Sequence, residues 1–264
     1  MTTSLQPGFY VAADPDPEML LVEPIDHNDI AFLDRELDFL HGHLGIPFAF
    51  VGVLIEDWFR DLTPWPSGPV MGKESFGDRA PDTLKHITGE ILPYMEGHFP
   101  TLEGKPRVIG GYSLAGLFSL WAGYESDLFD GIAAASPSVW YPGWTDYARS
   151  RQSRAKAVYL SLGDEEPKAR NRIVATVGDA ILEQAGLLAA QGVESTMVWN
   201  VGNHFNEADI RTAKAFAWVM KSKTAEDNRT LVRFWSRALA LSGEDRKKER
   251  QNDADSWKES APFR

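Results

Sequence analysis

A serine set between small residues, where an apolar strand meets an apolar helix, constrains this chain most. Residues 107–120 read RVIGGYSLAGLFSL, with Ser113 at the junction. So sharp a turn needs small residues two positions before and after the serine, because larger side chains would collide as the chain reverses. Gly111 and Ala115 meet this need, although alanine replaces the second glycine of the usual G-x-S-x-G. The segment predicts a nucleophile elbow, with the Leu114 N–H at the helix start as one oxyanion donor.

Short apolar runs alternate with segments of helical period along most of the chain. This alternation is typical of crossover units on a mostly parallel sheet with helices on both faces. We therefore expect an α/β fold with a sheet of about six strands. The predicted strands are Met19–Glu23, Phe48–Ile55, Arg107–Gly111, Gly131–Ala135, Ala157–Leu162 and Ser195–Val201.

Three of the segments outside these strands carry apolar residues along one helical face. The faces are Ile30, Leu33, Leu37 and Leu40 in the first, Leu84, Ile87, Ile91 and Met95 in the second, and Ile210, Ala213, Ala217 and Met220 in the last.

Length and charge narrow the functional classes. The 264 residues suit one α/β domain, which we assign to residues 1–221. The formal net charge is −11 and the basic residues are scattered, so no nucleic-acid partner is expected. Cysteine is absent, which removes disulfides and thiolate chemistry. Without a signal-like start or a long apolar run, the sequence predicts a soluble, cytoplasmic protein with no membrane partner.

Two segments depart from the alternation of strands and helices. Residues 57–81, DWFRDLTPWPSGPVMGKESFGDRAP, are rich in proline, glycine and aromatic residues and predict a long ordered loop. Residues 222–264 are highly charged around one amphipathic stretch, Leu231–Leu241, and predict a partly helical C-terminal extension. That stretch has three readings: docking on the domain, pairing in a homodimer, or a poorly ordered tail.

A serine nucleophile needs a base, and His204 has the position for it. It follows the last predicted strand in VWNVGNHFNE and precedes the final helix, where a hydrolase with a nucleophile elbow delivers its histidine. His41 and His43 flank Gly42 without further ligands at metal spacing, so surface positions suit them better. His86 and His98 suit exposed or capping positions. His27, in the loop after the first predicted strand, keeps a site role as an alternative.

The acid is expected after the strand Ala157–Leu162. There the sequence places Asp164, Glu165 and Glu166 side by side. The chain order of serine, acid and histidine is then met. Because three converging carboxylates would repel one another, only one of them is expected to face His204, and the spacing does not say which.

The stretch GGYSLAGLFSLWAGYESDLFDGIAAASPSVW, residues 110–140, resembles the Putative esterase family, which contains esterase D and the enterochelin esterases. DLTPWP at residues 61–66 and GDEEP at residues 163–167 resemble further elements of that family, and the resemblance covers about Phe48 to Met220. It implies an α/β-hydrolase fold and favours Glu166 as the acid. Around the histidine the chain has Gly202-Asn203-His204-Phe205 instead of the Gly-Gly-His-Asp typical of enterochelin esterases. The N-terminus is expected to be minimal, without the first strands of the full fold.

A second oxyanion donor is expected from a backbone N–H in the loop after the first predicted strand, at Ile25 or Asp26. Four tryptophans are expected in loops at the carboxyl ends of the strands, where they either line a substrate pocket or pack the long loop. They are Trp58, Trp65, Trp140 and Trp144.

Together these features predict a serine esterase that acts on a small-molecule ester through an acyl-enzyme. No metal or cofactor is expected to take part. An acyltransferase on the same residues and a non-catalytic binding module that keeps the fold are the alternatives.

Overall fold

The computed structural model describes residues 1–70 and 72–224, and its centre is one eight-stranded sheet. The strand order is β1-β2-β4-β3-β5-β6-β7-β8. The pairs β1–β2 and β2–β4 are antiparallel, and all other neighbours are parallel. The strands are β1 Thr2–Gln6, β2 Phe9–Ala13, β3 Leu20–Ile25, β4 Ala49–Leu54, β5 Arg107–Tyr112, β6 Gly131–Ala135, β7 Ala157–Gly163 and β8 Glu194–Asn200.

The six predicted strands are β3 to β8, and the sheet contains two strands more. The N-terminal segment, expected to add none, forms a hairpin of β1 and β2 that turns at Gly8 with φ of 87°. Strand β1 is an edge strand with mostly exposed residues. An edge strand that buries no face has no alternation of apolar and polar residues, so its sequence gives no strand signal.

Helices cover both faces of the sheet. They are α1 Leu33–His43, α2 Trp58–Asp61, α3 Ala80–His86, α4 Leu92–His98, α5 Leu114–Glu125, α6 Trp144–Arg149, α7 Val177–Ala190 and α8 Ala208–Thr224, with a π-helical turn, Ile87–Ile91, between α3 and α4.

The apolar faces predicted for three helices are largely buried. Leu33, Leu37 and Leu40 of α1 lie in the core, as do Ile87, Ile91 and Met95 along α3 to α4. In α8 the buried residues are Ala213, Ala217 and Met220. The sheet separates two apolar clusters, and neighbours along a strand join opposite ones: Ile109 lies in the first and Val108 in the second.

The predicted long loop, residues 57–81, holds a short helix, α2, and a bridge between Ser67 and Phe76. Asp57 caps α2 by accepting a hydrogen bond from the Arg60 N–H. Leu231–Leu241 lies outside the described residues, so its three readings remain predictions. Within residues 1–70 and 72–224, every helix is too short or too polar to span a membrane.

Because β3 to β8 run parallel, their carboxyl ends meet at one edge of the sheet. Ser113 follows β5, Glu166 follows β7 and His204 follows β8. The topology thus places the chemically capable side chains at this one edge.

Candidate active site

The backbone of Ser113 has the strained geometry expected of an elbow. Its φ is 58° and its ψ is −120°, which a residue with a side chain rarely adopts. Gly111 has φ of 151°, and a Cβ added to it would lie only 2.7 Å from the Cβ of Ala115. Because Ala115 already carries a methyl group, only glycine fits at position 111 on the other side of the turn. The turn places Ser113 directly before α5. The first N–H groups of that helix have no acceptor within the helix.

A chain of hydrogen bonds joins three of the predicted residues. Ser113 Oγ lies 3.0 Å from His204 Nε2, and His204 Nδ1 lies 2.7 Å from Glu166 Oε2. The Glu166 side chain is buried and that of His204 is partly exposed. A hydroxyl, an imidazole and a carboxylate in this order can move a proton away from the hydroxyl oxygen.

The structure separates the three adjacent carboxylates by direction. Asp164 Oδ1 accepts a hydrogen bond of 2.8 Å from the Gly202 N–H and so fixes the histidine loop to the end of β7. Glu165 is exposed. Only Glu166, at the start of a 3-10 turn, has its side chain directed at His204.

The other oxygen of Glu166 is occupied. Oε1 accepts the Gly163 N–H at 2.7 Å and the Ser136 hydroxyl at 2.8 Å. This leaves Oε2 for the imidazole. Gly163 is required here, since an added Cβ would lie 2.3 Å from the Gly202 carbonyl oxygen and 3.0 Å from Glu166 Oε1.

Sequence reasoning missed two residues, Tyr112 and Arg211, that form hydrogen bonds to the backbone of the His204 loop. The Tyr112 hydroxyl donates to the His204 carbonyl oxygen at 2.8 Å, and the two rings lie 5.0 Å apart. Burial raises the pKa of Tyr112, so the phenol stays protonated and can donate. Arg211 of α8 is buried and bonds to Tyr112 and to the histidine loop. Tyr112 could have been suspected from its place beside Ser113, whereas nothing in the sequence marks Arg211 as buried.

Two serines of the A-S-P-S segment were also missed. Ser136 has φ of 41° and its hydroxyl faces Glu166. Ser138 lies with its Oγ 3.3 Å from Ser113 Oγ, and its N–H donates to the Ser113 carbonyl oxygen at 3.0 Å. The segment was noted for its resemblance, but the contacts of its hydroxyls depend on how β6 packs between β5 and β7.

The predicted oxyanion donors differ in their surroundings. Leu114 begins α5 directly after Ser113, so its N–H lies at the elbow. The Asp26 N–H instead donates to Asp29 Oδ2 at 2.8 Å. Ile25 lies within β3, paired with Leu54 of β4. The structure thus gives Asp26 another acceptor and places Ile25 inside the sheet. His27 is exposed in the same loop.

The structure does not bring Trp144 to the site. Its side chain is 1% exposed, and its indole N–H donates to Gln184 in the core. A tryptophan packed on all sides has no face for a ligand, so Trp144 fits the alternative of a packing role.

The other three tryptophans lie around the long loop. Trp65 donates to the Pro142 carbonyl oxygen at 2.8 Å and keeps part of its surface exposed. Trp140, two residues after Ser138, is 6% exposed and packs against Phe76. Trp58 is partly exposed on α2.

No three histidine, aspartate or glutamate side chains in the described ranges converge in a way that could hold a metal ion. The site therefore offers hydroxyl, imidazole, carboxylate and backbone N–H groups.

Solved structures share this fold. An IroE-like serine hydrolase from Shewanella oneidensis is 17% identical, with a TM-score of 0.65 over 80% of this chain and 74% of that one. Siderophore hydrolase EstB from Aspergillus nidulans is 18% identical, with a TM-score of 0.63 over 79% and 88%. The enterobactin esterase FES from Shigella flexneri is 13% identical, with a TM-score of 0.55 over 80% and 54%. At these identities the likeness establishes the α/β-hydrolase fold. No curated protein matches the sequence.

The family model described as Putative esterase matches residues 47–204, more than half of the chain. The match begins just before β4 and ends at the histidine that faces Ser113. The chain belongs to the Putative esterase family.

Proposed function

We propose that this protein is a carboxylic ester hydrolase in which Ser113, His204 and Glu166 form a catalytic triad. The observation that carries the proposal is the continuous hydrogen-bond chain from Ser113 Oγ through His204 to Glu166 Oε2, on an elbow of strained backbone. Membership of an esterase family agrees with it.

The geometry supports a two-step acyl transfer. With Glu166 Oε2 accepting the Nδ1 proton, His204 Nε2 is free to take the proton of Ser113 as Oγ attacks the ester carbonyl carbon. The resulting oxyanion lies near the start of α5, where the Leu114 N–H donates to it. His204 then gives the proton to the leaving alcohol, which departs and leaves an acyl-enzyme. Water, activated by the same imidazole, releases the acid and restores Ser113.

The substrate we propose is a small-molecule ester. Two of the similar structures are a siderophore hydrolase and an enterobactin esterase. Identities of 18% and 13% do not carry a particular siderophore over to this chain. The proposal therefore names the bond that is cleaved, and a panel of acyl esters of graded size would define the acyl and alcohol parts.

A fluorophosphonate probe tests the nucleophile. We expect the wild-type protein to form a stoichiometric adduct that intact-mass and peptide mass spectrometry place on Ser113, and Ser113→Ala to form none. Ser126→Ala is the matched control, because Ser126 lies at the far end of α5 and should leave labelling unchanged. Equal labelling rates of wild type and Ser113→Ala would refute the proposal.

A further inference from the structure

We propose that Arg211 is a positioning residue whose buried guanidinium fixes the base and the acid of the triad relative to each other. The inference rests on the proposed function, because it concerns how His204 and Glu166 are held. Arg211 lies in the first turn of α8, directly after the histidine loop.

The burial of Arg211 calls for an explanation. Arg211 is 2% exposed, although arginine is almost never fully buried unless it is paired. A desolvated guanidinium needs acceptors for its N–H groups, and an arginine that only anchored α8 could reach solvent instead. Within residues 1–70 and 72–224, those acceptors all belong to the surroundings of the triad.

Two of the acceptors are backbone carbonyls of the histidine loop. Nη2 donates to the Val201 carbonyl oxygen and Nη1 to the Asn203 carbonyl oxygen, each at 3.0 Å. These carbonyls flank Gly202, whose φ of 102° marks the turn of the loop just before His204. Arg211 therefore holds this turn from both sides.

A third contact links the histidine loop to the strand of the nucleophile. Nη1 of Arg211 also donates to the Tyr112 hydroxyl at 3.0 Å, and that hydroxyl donates to the His204 carbonyl oxygen. Tyr112 is the last residue of β5, directly before Ser113. The guanidinium and the phenol thus connect the base to the end of β5.

The fourth contact is electrostatic and reaches the acid. Nη1 lies 3.5 Å from Glu166 Oε1, and both side chains are buried. A buried carboxylate is costly without a compensating charge, and this is the nearest guanidinium to it in the described structure. Arg211 therefore places a positive charge beside Oε1 and leaves Oε2 free for the imidazole.

Replacement of Arg211 should lower turnover more than substrate affinity. We expect Arg211→Met to reduce kcat for an acyl ester about 100-fold, since displacing a catalytic group by about 1 Å costs this much. KM should change by less than about threefold, because the Arg211 side chain is only 2% exposed and so has no surface for substrate. Arg211→Lys should recover little, since a single ammonium lacks the planar fork that serves carbonyls on two sides.

Two further readouts separate positioning from simple structural support. Proton NMR of the wild type should show a downfield resonance from the hydrogen-bonded His204 Nδ1 proton, and Arg211→Met should shift or broaden it. Methylguanidinium added to Arg211→Ala should restore part of kcat, whereas sodium chloride at the same concentration should not. Tyr112→Phe, a milder change, should lower kcat about tenfold by the same route.

Arg35→Met is the matched control. Arg35 also pairs with the start of α8, through Glu207 and Asp209, but its side chain is exposed. The same substitution there should leave kcat and the downfield resonance unchanged.

The outcomes are distinguishable. Folded Arg211→Met and Tyr112→Phe proteins with wild-type kcat and an unchanged resonance would overturn this inference while the triad stands. Activity loss that follows only the unfolded fraction, measured by circular dichroism, would also overturn it. Failure of Ser113 labelling in the wild type would instead refute the proposed function, and the resonance would still report whether Arg211 holds His204.

Discussion

Glu166 differs from its two acidic neighbours in its surroundings and not in its chemistry. It is buried, and its two oxygens accept from different elements of the fold: Oε1 from Gly163 and Ser136, and Oε2 from His204. Asp164 instead supports the backbone of the histidine loop. At the scale of one residue, the role of a carboxylate is set by which donors face it.

Glu166→Gln should lower kcat by on the order of 10²–10⁴-fold, because an amide cannot supply the negative charge and can turn an NH₂ group towards His204 Nδ1. Steady-state hydrolysis of an acyl ester would measure it. Glu165→Gln makes the same chemical change at an exposed neighbour and should stay within about twofold of wild type. A larger loss in Glu165→Gln than in Glu166→Gln would reassign the acid.

At the scale of secondary-structure elements, two buried glutamates lie between neighbouring elements of the fold. Strand β3 and helix α1 bury a pair of carboxyl groups, Glu23 and Glu36, which share a hydrogen bond. Burial raises the pKa of Glu23 to about 8, with the nearby charge of Asp29 adding to the effect. Burial and the charge of Glu23 raise the pKa of Glu36 well above its ordinary value, and Asp209 and Asp29 add further negative charge.

This pair should make the unfolding free energy depend on pH. Both folded pKa values lie above those of the unfolded chain, so the pair stabilises the fold at low pH. That stability is lost as the pH rises from 4.5 through about 8. We expect the unfolding free energy of Glu36→Gln to equal that of the wild type near about pH 5 and to exceed it near about pH 9. Between these values, the slopes of unfolding free energy against pH should differ by up to about 1.4 kcal/mol per pH unit.

Thermal or urea unfolding across this pH range would measure the difference. Glu103→Gln, an exposed glutamate, is the control and should follow the wild-type curve. Parallel curves for wild type and Glu36→Gln would show that the pair does not titrate in the folded protein.

At the scale of the whole molecule, the sheet lies between two apolar clusters and carries the site at the carboxyl ends of its parallel strands. Ser113, Glu166 and His204 follow strands β5, β7 and β8, so their spacing depends on the register of the sheet. Strand β6 supplies no triad member but lies between β5 and β7, and Ser136 at its end bridges to Glu166. The sheet is therefore the frame that fixes the distances in the site.

The losses of unfolding free energy caused by equal side-chain truncations on the two faces of the sheet should be additive. Val158 belongs to the first cluster and Val219 to the second, and both are fully buried. Each Val→Ala change should lower the unfolding free energy by about 2 kcal/mol, and the double variant should equal their sum within about 0.5 kcal/mol. Urea unfolding followed by circular dichroism should give one transition in each case. Separate transitions for the two variants would mean that the faces unfold independently.

Features of the molecule that follow from local rules could be read from the sequence. The small residues around Ser113 are a steric requirement of the turn itself, and Gly111 shows it in the structure. The apolar faces of α1 and α8 follow from helical period, and β3 to β8 follow from short apolar runs. Because parallel strands end at one edge, the order of serine, acid and histidine along the chain already implied that they meet.

Other features were decided only by tertiary contacts. The edge strand β1 owes its structure to pairing with β2, and the core position of Trp144 depends on helix packing. The spacing of three adjacent carboxylates did not distinguish Glu166, because their side chains differ only in the direction that β7 and the following turn give them. Nothing in the sequence distinguishes Arg211 from a surface arginine. Its burial depends on contacts with Tyr112, 99 residues away, and with the carbonyls of the histidine loop. Sequence alone determined which groups reach this edge of the sheet. Tertiary structure decided which of them are buried, which are paired and which point at the site, because burial and charge compensation depend on residues far apart in the chain.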